Sequence, residues 1–557
     1  MKSNFYYKEL TSAEVGTAGT HEVYIRMPNG FDYETFFGNA AIQNGSVKEV
    51  NFQAIDITNG GNDIVPLRFV YFENSNKEKR IPSLAPLFRK NNVTEGDIVC
   101  LESRQDGNTL SYYIRFYKKG EIQISPASIY FTQNDNDLNR INRLPQVNLD
   151  NSNYLPFLAA LRTKPFLLLA GISGTGKSRI VREFAFKSCP KYLQDKDHTT
   201  PGNYCMIEVK PNWHDSTELL GYYSNISKGY QFKKFVKFLV KAKMFPNVPF
   251  FVCLDEMNLA PVEHYLAEIL SILETRKHKN NDIKTEVIIE PKYFKELSTM
   301  SMARNADGAA FSQNLTDRDI YLKLFGIDTE TDIDEEVGNR KDLTSIGLTL
   351  PGNVLIIGTV NMDDTTHQFS RKVIDRAMTI EMNGGKLADM FGGSKDLDYL
   401  KDDEQKKWQE AFTQTYITAD EVLDYHHEKA EEIKKKLPEK LEQINEVLKN
   451  TPFTVSYRVL NELTIMVGVL LNGEKKYDNL DSIINQAFDN IMLMKILPRI
   501  EGDEEMFTVK GNPKNRLEQL MDLMPDITTT DNRQTAKDKI KEMNDRLNAQ
   551  GFTRFWP

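Results

Sequence analysis

The chain has 557 residues, 40 % of them hydrophobic and 27 % charged, with a formal net charge of −9. That length exceeds what one hydrophobic core supports and predicts about three domains, and the composition is that of an ordinary globular protein. The acidic balance excludes nucleic-acid binding through a global basic field, so any such binding must come from a local patch. Cys100, Cys189, Cys205 and Cys253 show no C-x-x-C spacing and read as small buried hydrophobes in a reducing compartment. The opening MKSNFYYKEL has no apolar signal-peptide core, and no apolar run approaches the roughly 20 residues of a membrane span, which points to the cytoplasm.

Residues 1–145 carry short β-rich runs at 22–27, 47–57, 65–72, 97–101, 110–117 and 121–124, separated by Asn, Gly, Asp and Pro clusters. This spacing predicts a small sheet sandwich or barrel with almost no helical periodicity. Residues 132–153, rich in Asn and Asp, read as a linker. Within 146–395, apolar strands at 166–170, 204–209, 250–254 and 354–360 alternate with helices, which predicts a parallel sheet with crossover helices. A segment of about 279–349 interrupts the alternation as an insertion. Its acid-rich stretch 327–336, IDTETDIDEE, reads as a solvated loop, since it lacks the ligand spacing and central glycine of a calcium loop. From 396 to 557 the pattern is helical, with apolar residues at three- and four-residue intervals over 402–414, 419–436, 439–449, 459–471, 480–496, 516–523 and 535–548.

The chemistry centres on the end of the first apolar strand. Gly171, Ile172, Ser173, Gly174, Thr175, Gly176, Lys177 and Ser178 match G-x-x-x-x-G-K-[ST] at every required position. The glycines let the backbone curl into a nest of N–H groups at a helix start, a geometry suited to a phosphate chain. Lys177 would reach the terminal phosphates and the Ser178 hydroxyl would coordinate Mg2+. Trp213, His214 and Asp215 follow the second strand, where an open α/β sheet gathers ligands, although a histidine there is more often a surface or turn residue. The third strand ends in Asp255 and Glu256. Asp255 would hold the hydrated magnesium, and Glu256 would orient and deprotonate the attacking water. The fourth strand ends at Asn361, an amide able to hold both γ-phosphate and water.

These strand ends support a resemblance. The stretches GISGTGKS, CLDEMNLAPVEHYLAEILSILETR and GTVNMDDTTHQFSRKVIDRA, followed by SYRVLNE and ILPRIEG, resemble the McrB-type AAA+ motors of restriction systems over about residues 154–510. The resemblance implies an α/β AAA+ P-loop module with an all-helical lid. It further implies a GTP-hydrolysing hexameric ring in phage defence that drives a McrC-like nuclease subunit. Asn361 and Asp364 correspond to the family's Asn-x-x-Asp element, but Thr365 and Thr366 stand where the best-known form has Arg and Ser or Thr. Arg371 and Arg376 lie where such motors present arginine to a neighbour's nucleotide, where it neutralises charge on the transferred phosphoryl group. Pairing with Asp375 or Asp364 on a surface helix is the plainer reading of either. Arg458 corresponds to a second sensor that couples nucleotide state to lid angle.

A second resemblance covers LTSAEVGTAGTHEVYI at residues 10–25, which looks like the glycine-threonine loop of EcoRII-type effector domains, DNA-binding pseudobarrels that grip double-stranded DNA with two arms. The small residues around Thr17, Ala18 and Gly19 allow close approach to phosphates, while His21, Glu22 and Arg26 reach base edges or sugar oxygens. Arg68 and residues Lys77–Arg80, including Lys79 and Arg80, form a candidate second arm; a plain glycine-rich hairpin is the alternative. No nuclease constellation is visible in the sequence, so cleavage is expected of a partner. The rival reading is a MoxR-like AAA+ ATPase that remodels protein complexes, with residues 1–145 as a protein adaptor. GTP over ATP rests on the resemblance alone, because no N-K-x-D base-reading motif fits.

Overall fold

In the computed structural model the described residues are 2–16, 23–27, 31–38, 42–44, 47–58, 63–72, 78–106, 109–119, 128–133, 154–195, 197–279, 282–299, 315–328, 330, 332–362, 369–382, 397–413, 415–426, 429–472, 479–527 and 534–556. They fall into two compact units, Met1–Leu144 with Leu423–Ala430, and Pro145–Val422 with Glu431–Pro557.

In the first unit a nine-stranded, mostly antiparallel sheet is built from strands whose alternate residues are apolar. Val50, Phe52 and Ala54 of Val47–Asp56 point into a core of Phe31, Phe36, Phe37 and Phe69. The Phe37 ring centroid lies 4.9 Å from Phe52 and 5.1 Å from Phe69. Val47–Asp56 pairs antiparallel with Asp63–Tyr71 and parallel with Thr109–Tyr117. Lys2–Glu9 lies between Ile98–Asp106 and Ser128–Gln133, antiparallel to both. The sheet path runs from Ile25–Met27 to Ser128–Gln133, a mostly β sheet compatible with the expected barrel. Lys2–Glu9 escapes sequence reading because three consecutive aromatics mask the period of two. Phe5 and Tyr7 serve one apolar cluster and Tyr6 another, on the opposite face. Two helices, Tyr33–Phe37 and Ala85–Lys90, were likewise not expected. The expected strand at 121–124 lies outside the described residues.

The second unit is organised around β1 (Phe166–Gly171), buried at every position. Helix α1 (Leu155–Thr163) leads into it and α2 (Lys177–Ser188) leaves it. Then come β2 (Tyr204–Glu208), α3 (Lys234–Met244), β3 (Phe250–Asp255), α4 (Ala267–Leu273), β4 (Val354–Asn361), α5 (Arg371–Ile374) and β5 (Met378–Glu381). All five strands are parallel, in the order β2-β3-β4-β1-β5. After β1 the chain runs to the far edge, works back to lie beside β1, and then crosses to β5. Strand order thus reverses at β1, the position where open α/β sheets bind ligands outside their carboxyl ends.

The ends of the insertion close on each other, Val287–Ile289 pairing antiparallel with Leu348–Thr349, and Ile289, Phe294 and Leu348 join the core of this unit. Within its acid-rich stretch Asp334 caps a short helix, accepting from the Val337 N–H at 3.0 Å. Among the described residues no group of three or more His, Cys, Asp or Glu is placed to hold a metal ion.

The last third is mostly helical. It holds Asp402–Thr413, Ala419–Tyr425, Ala430–Val447, α6 (Tyr457–Asn472), Leu480–Ile491, Arg516–Leu523 and α7 (Ala536–Gln550). Pro438, expected to separate two helices, sits inside Ala430–Val447. Burial of Ile433, Leu437, Leu441 and Ile444 on one face offsets the roughly 3 kcal/mol that an interior proline costs. The helical region also contains a strand pair, Glu501–Asp503 with Phe552–Arg554, too short for any sequence period to reveal. The all-helical expectation is corrected to that extent. All four cysteines are buried and free. Among the described residues no helix is long and apolar enough to cross a membrane.

Candidate functional site

The turn after β1 is shaped by glycines. At Gly171, with φ 152°, a Cβ would collide with the Met382 carbonyl oxygen at the exit of β5, so no larger residue fits. Gly174 (φ 84°) and Gly176 (φ 82°) occupy the left-handed region at little cost and open the loop toward the start of α2. No side chain caps α2. Its first N–H groups and the positive end of its dipole are therefore presented to the loop, as an anion requires. Lys177 is 6 % exposed, and its Nζ donates to the carbonyls of Gly171 at 2.9 Å and Ile172 at 2.7 Å. The loop is thus curled around its own ammonium group.

The acidic side of the site comes from β3 and β4. Asp255 Oδ1 accepts from Ser178 Oγ at 2.6 Å and from Thr359 Oγ1 at 2.8 Å. The same Thr359 oxygen accepts the Glu256 N–H at 2.9 Å. Glu256 itself has a left-handed backbone (φ 49°, ψ 48°), a conformation that costs a non-glycine residue about 1–3 kcal/mol and that clusters at functional sites. Its carboxylate accepts from Asn361 Nδ2 at 2.8 Å. Asn258, 2 % exposed, closes the ring by donating to the Asn361 carbonyl at 3.0 Å. Ser178, Asp255, Glu256 and Asn361, read as separate strand ends in the sequence, are therefore one hydrogen-bonded cluster. Its hard oxygen donors suit Mg2+, which is bound through one or two protein oxygens plus waters and substrate phosphates.

Thr359 and Asn258 were missed by sequence reasoning. The available signal for Thr359 was strand period: it lies two residues before Asn361 and shares its face of β4. Trp213, His214 and Asp215 do not join the cluster. Trp213 packs edge-on against Tyr265 with ring centroids 5.3 Å apart, Asp215 Oδ1 accepts the Thr217 N–H at 2.8 Å, and His214 is exposed.

The candidate arginines occupy a different place. Arg371 lies over the Phe453 ring at 5.1 Å. Arg376 Nε stands 3.9 Å from Glu274 Oε1, and Arg458 Nη2 stands 2.6 Å from Glu274 Oε2. Asp375, the partner expected of Arg376, instead pairs with Arg499 at 2.9 Å. Asp364 lies outside the described residues.

In the first unit, Thr17, Ala18, Gly19, His21 and Glu22 also lie outside the described residues. Among the described residues next to them, Glu14 is 2 % exposed. Its carboxylate pairs with Lys8 at 2.7 Å, accepts the Thr11 N–H at 3.1 Å and accepts the Arg26 N–H at 2.8 Å. Arg26 points outward, its side chain 60 % exposed. Lys79, expected in the second arm, is partly buried. Its ammonium donates to the Phe31 carbonyl at 2.7 Å between the rings of Tyr33 and Tyr71, and burial lowers its pKa. Arg80 stacks on Phe72 at 5.0 Å, and Arg68 lies 3.8 Å from Glu49.

Fold and site together define a strand, phosphate-type loop and helix module, joined in one chain to a mostly β unit. A family model described as a domain of unknown function (DUF8727) matches residues 409–552. No curated protein matches the chain. Among solved structures the chain is similar to the Arabidopsis FUS3–DNA complex, at 16 % identity over 20 % of this chain and 94 % of that one, with a TM-score of 0.16. It is similar to the B3 domain of the UbaLAI restriction endonuclease with cognate DNA, at 18 % identity over 24 % and 87 %, with a TM-score of 0.18. A protein from Cytophaga hutchinsonii described as a candidate ATPase is similar at 14 % identity over 58 % and 74 %, with a TM-score of 0.25.

Proposed function

We propose that the chain is a nucleoside triphosphate-hydrolysing AAA+ motor and the DNA-recognition subunit of a McrBC-like restriction system, acting in the cytoplasm with a separate McrC-like nuclease subunit. The hydrolase reading is carried by one observation: Asn361 holds the Glu256 carboxylate at 2.8 Å, beside an Asp255 that already accepts from Ser178. A triphosphate in the loop would take the Lys177 ammonium from the Gly171 and Ile172 carbonyls. Bound magnesium, held by Ser178 and Asp255, would supply charge neutralisation across the terminal phosphates. Glu256 accepts a proton from water as the water oxygen bonds to the γ-phosphorus, and the bond to the leaving diphosphate oxygen breaks. Asn361 orients that water and carboxylate. An arginine from a neighbouring copy, Arg371 or Arg376, neutralises charge on the transferred group. Six copies in a ring, and GTP in preference to ATP, follow from the family resemblance. DNA contacts are assigned to residues Thr17–Glu22 and to Arg26, whose backbone N–H Glu14 accepts.

Glu256→Gln keeps the shape and removes the base. It is expected to bind nucleotide with unchanged affinity and to turn over about 10²–10⁴-fold more slowly. Hydrolysis at the wild-type rate in that variant would overturn the mechanism. Side-by-side rates with ATP and GTP, with and without DNA, decide the base preference.

A further inference from the structure

A cavity of about 480 Å³ opens at the edge of the parallel sheet, between β2, α3 and the end of the insertion helix Asp317–Phe325. Among the described residues β2 pairs with β3 and ends the strand order, so three strand spacings, about 14 Å, separate it from β1 and the phosphate loop. The volume falls within the roughly 300–1,000 Å³ of small-ligand sites.

The walls are aromatic. Phe232 stacks on Phe294 at 5.2 Å and Phe238 meets Phe250 edge-on at 5.2 Å, so the core behind them fixes both rings. Phe325, 37 % exposed, lines the cavity from the insertion, its ring 4.8 Å from that of Tyr321.

The floor is cationic. Lys234, Lys237 and Lys241 follow one another at three and four residues along α3, so they share one face over about 10 Å. Lys234 donates to the Met206 carbonyl at 2.8 Å and Lys241 to the Gly202 carbonyl at 2.8 Å. Lysines that cover the free side of an edge strand protect it from pairing with another chain, which accounts for these two. It does not account for Lys237, which lies between them and makes no side-chain hydrogen bond or ion pair among the described residues. No carboxylate lines the cavity. Burial lowers the Lys241 ammonium, and Glu330 opposes that only in part. An ammonium carries three donors, so all three lysines keep some to offer.

Phenylalanine rings beside a line of cations select a molecule with a flat apolar part and more than one negative charge. A single carboxylate would leave cations unmatched, and inorganic phosphate would leave the rings in water. A base joined to a phosphate group uses both, through stacking and charge-assisted hydrogen bonds. We propose that this cavity is a second nucleotide site, taking a nucleoside phosphate with its base against Phe232 and Phe325 and its phosphate on Lys237. The occupant is bound and not hydrolysed, since no carboxylate there can act as a base. The insertion thereby gains a role, as one wall of a regulatory site. This site stands whether or not the phosphate loop hydrolyses nucleotide.

Lys177→Ala removes the ammonium on which the phosphate loop depends, so nucleotide bound by that full-length variant reports the cavity. Equilibrium dialysis against ATP, GTP, AMP and GMP, each at up to about 1 mM, the upper end of ordinary substrate levels, should show binding of at least one of them. Adding Lys237→Ala should weaken that binding by at least about 10-fold, the loss of a charged hydrogen bond. Adding Phe325→Ala in its place should weaken it by at least about 5-fold, the loss of a stacking face. Inorganic pyrophosphate should compete poorly. Binding of none of the four by Lys177→Ala overturns the site, as does binding that Lys237→Ala leaves unchanged. Unchanged affinity with Phe325→Ala, or pyrophosphate competing as strongly as the nucleotide, overturns the base contact. Should Lys237→Ala fail to fold by thermal melt, Lys237→Gln takes its place with the same two outcomes.

Discussion

Glycine at position 358 illustrates how closely the sheet is packed below its carboxyl ends. Gly358 lies in the middle of β4, and a Cβ there would collide with Met257 Sδ, which is fully buried beneath the 3-10 turn that follows Glu256. Tyr265 OH donates to the Met257 carbonyl at 2.8 Å and holds that turn in place, so a Cβ at 358 would force the thioether to shift within a packed core. Gly358→Ala is therefore expected to cost about 1–3 kcal/mol in urea unfolding, the usual penalty for overpacking. The double variant with Met257→Ala should lose less than the sum of the two single losses, since each substitution relieves the other. The residues that could do chemistry were legible in the sequence because each sits at a strand end in an otherwise apolar run. The residues that hold them were not. Thr359 looks like any β-branched strand residue, and Asn258 like any turn former, until β3 and β4 are laid side by side.

Among the elements, α6 is tied to the parallel sheet by charge as well as by apolar contact. Glu462 on its buried face lies between Lys164, just ahead of β1, and Lys495, 1 % exposed in the turn after Leu480–Ile491. Burial pushes the Glu462 carboxyl up, but Lys495 and Lys164 outweigh it and hold it below the ordinary carboxylate range. Burial pulls the Lys495 ammonium down to about 8. Glu462→Ala leaves that ammonium buried and unpaired and is expected to cost about 3–5 kcal/mol. The sign with pH follows from the lowered carboxyl. Glu462 stabilises the fold fully above its unfolded value, and that contribution is lost as pH falls through its lower folded value. Thermal melts from pH 7 down to 3 should show an acid limb that Glu462→Gln flattens; an unchanged limb would mean other carboxylates dominate. Helix periods were legible over most of this region because each helix buries one stripe. The continuation of Ala430–Val447 through Pro438 was not, since propensity alone favours a break and only the buried face opposes it.

For the whole molecule, a net charge of −9 means that DNA binding must be local and sensitive to salt. The full chain is expected to shift duplex DNA at 50 mM salt and to lose about 10³–10⁵ in affinity by 200 mM if it makes 6–10 phosphate contacts. Failure to shift any duplex at low salt would turn the reading toward a remodeller of protein complexes. The amino-acid sequence by itself determined the phosphate-type loop, the acidic and amide strand ends, the β-rich first part and the helical last part. All of these are encoded in residues that are neighbours along the chain or repeat at the period of one element. Tertiary structure alone decided the strand order, the hydrogen-bonded ring from Ser178 to Asn361, the inward turn of Lys79 and the sharing of Glu274 by two arginines. These depend on which strand ends and helix ends meet in space, and contacts between residues a hundred positions apart leave no period in one sequence.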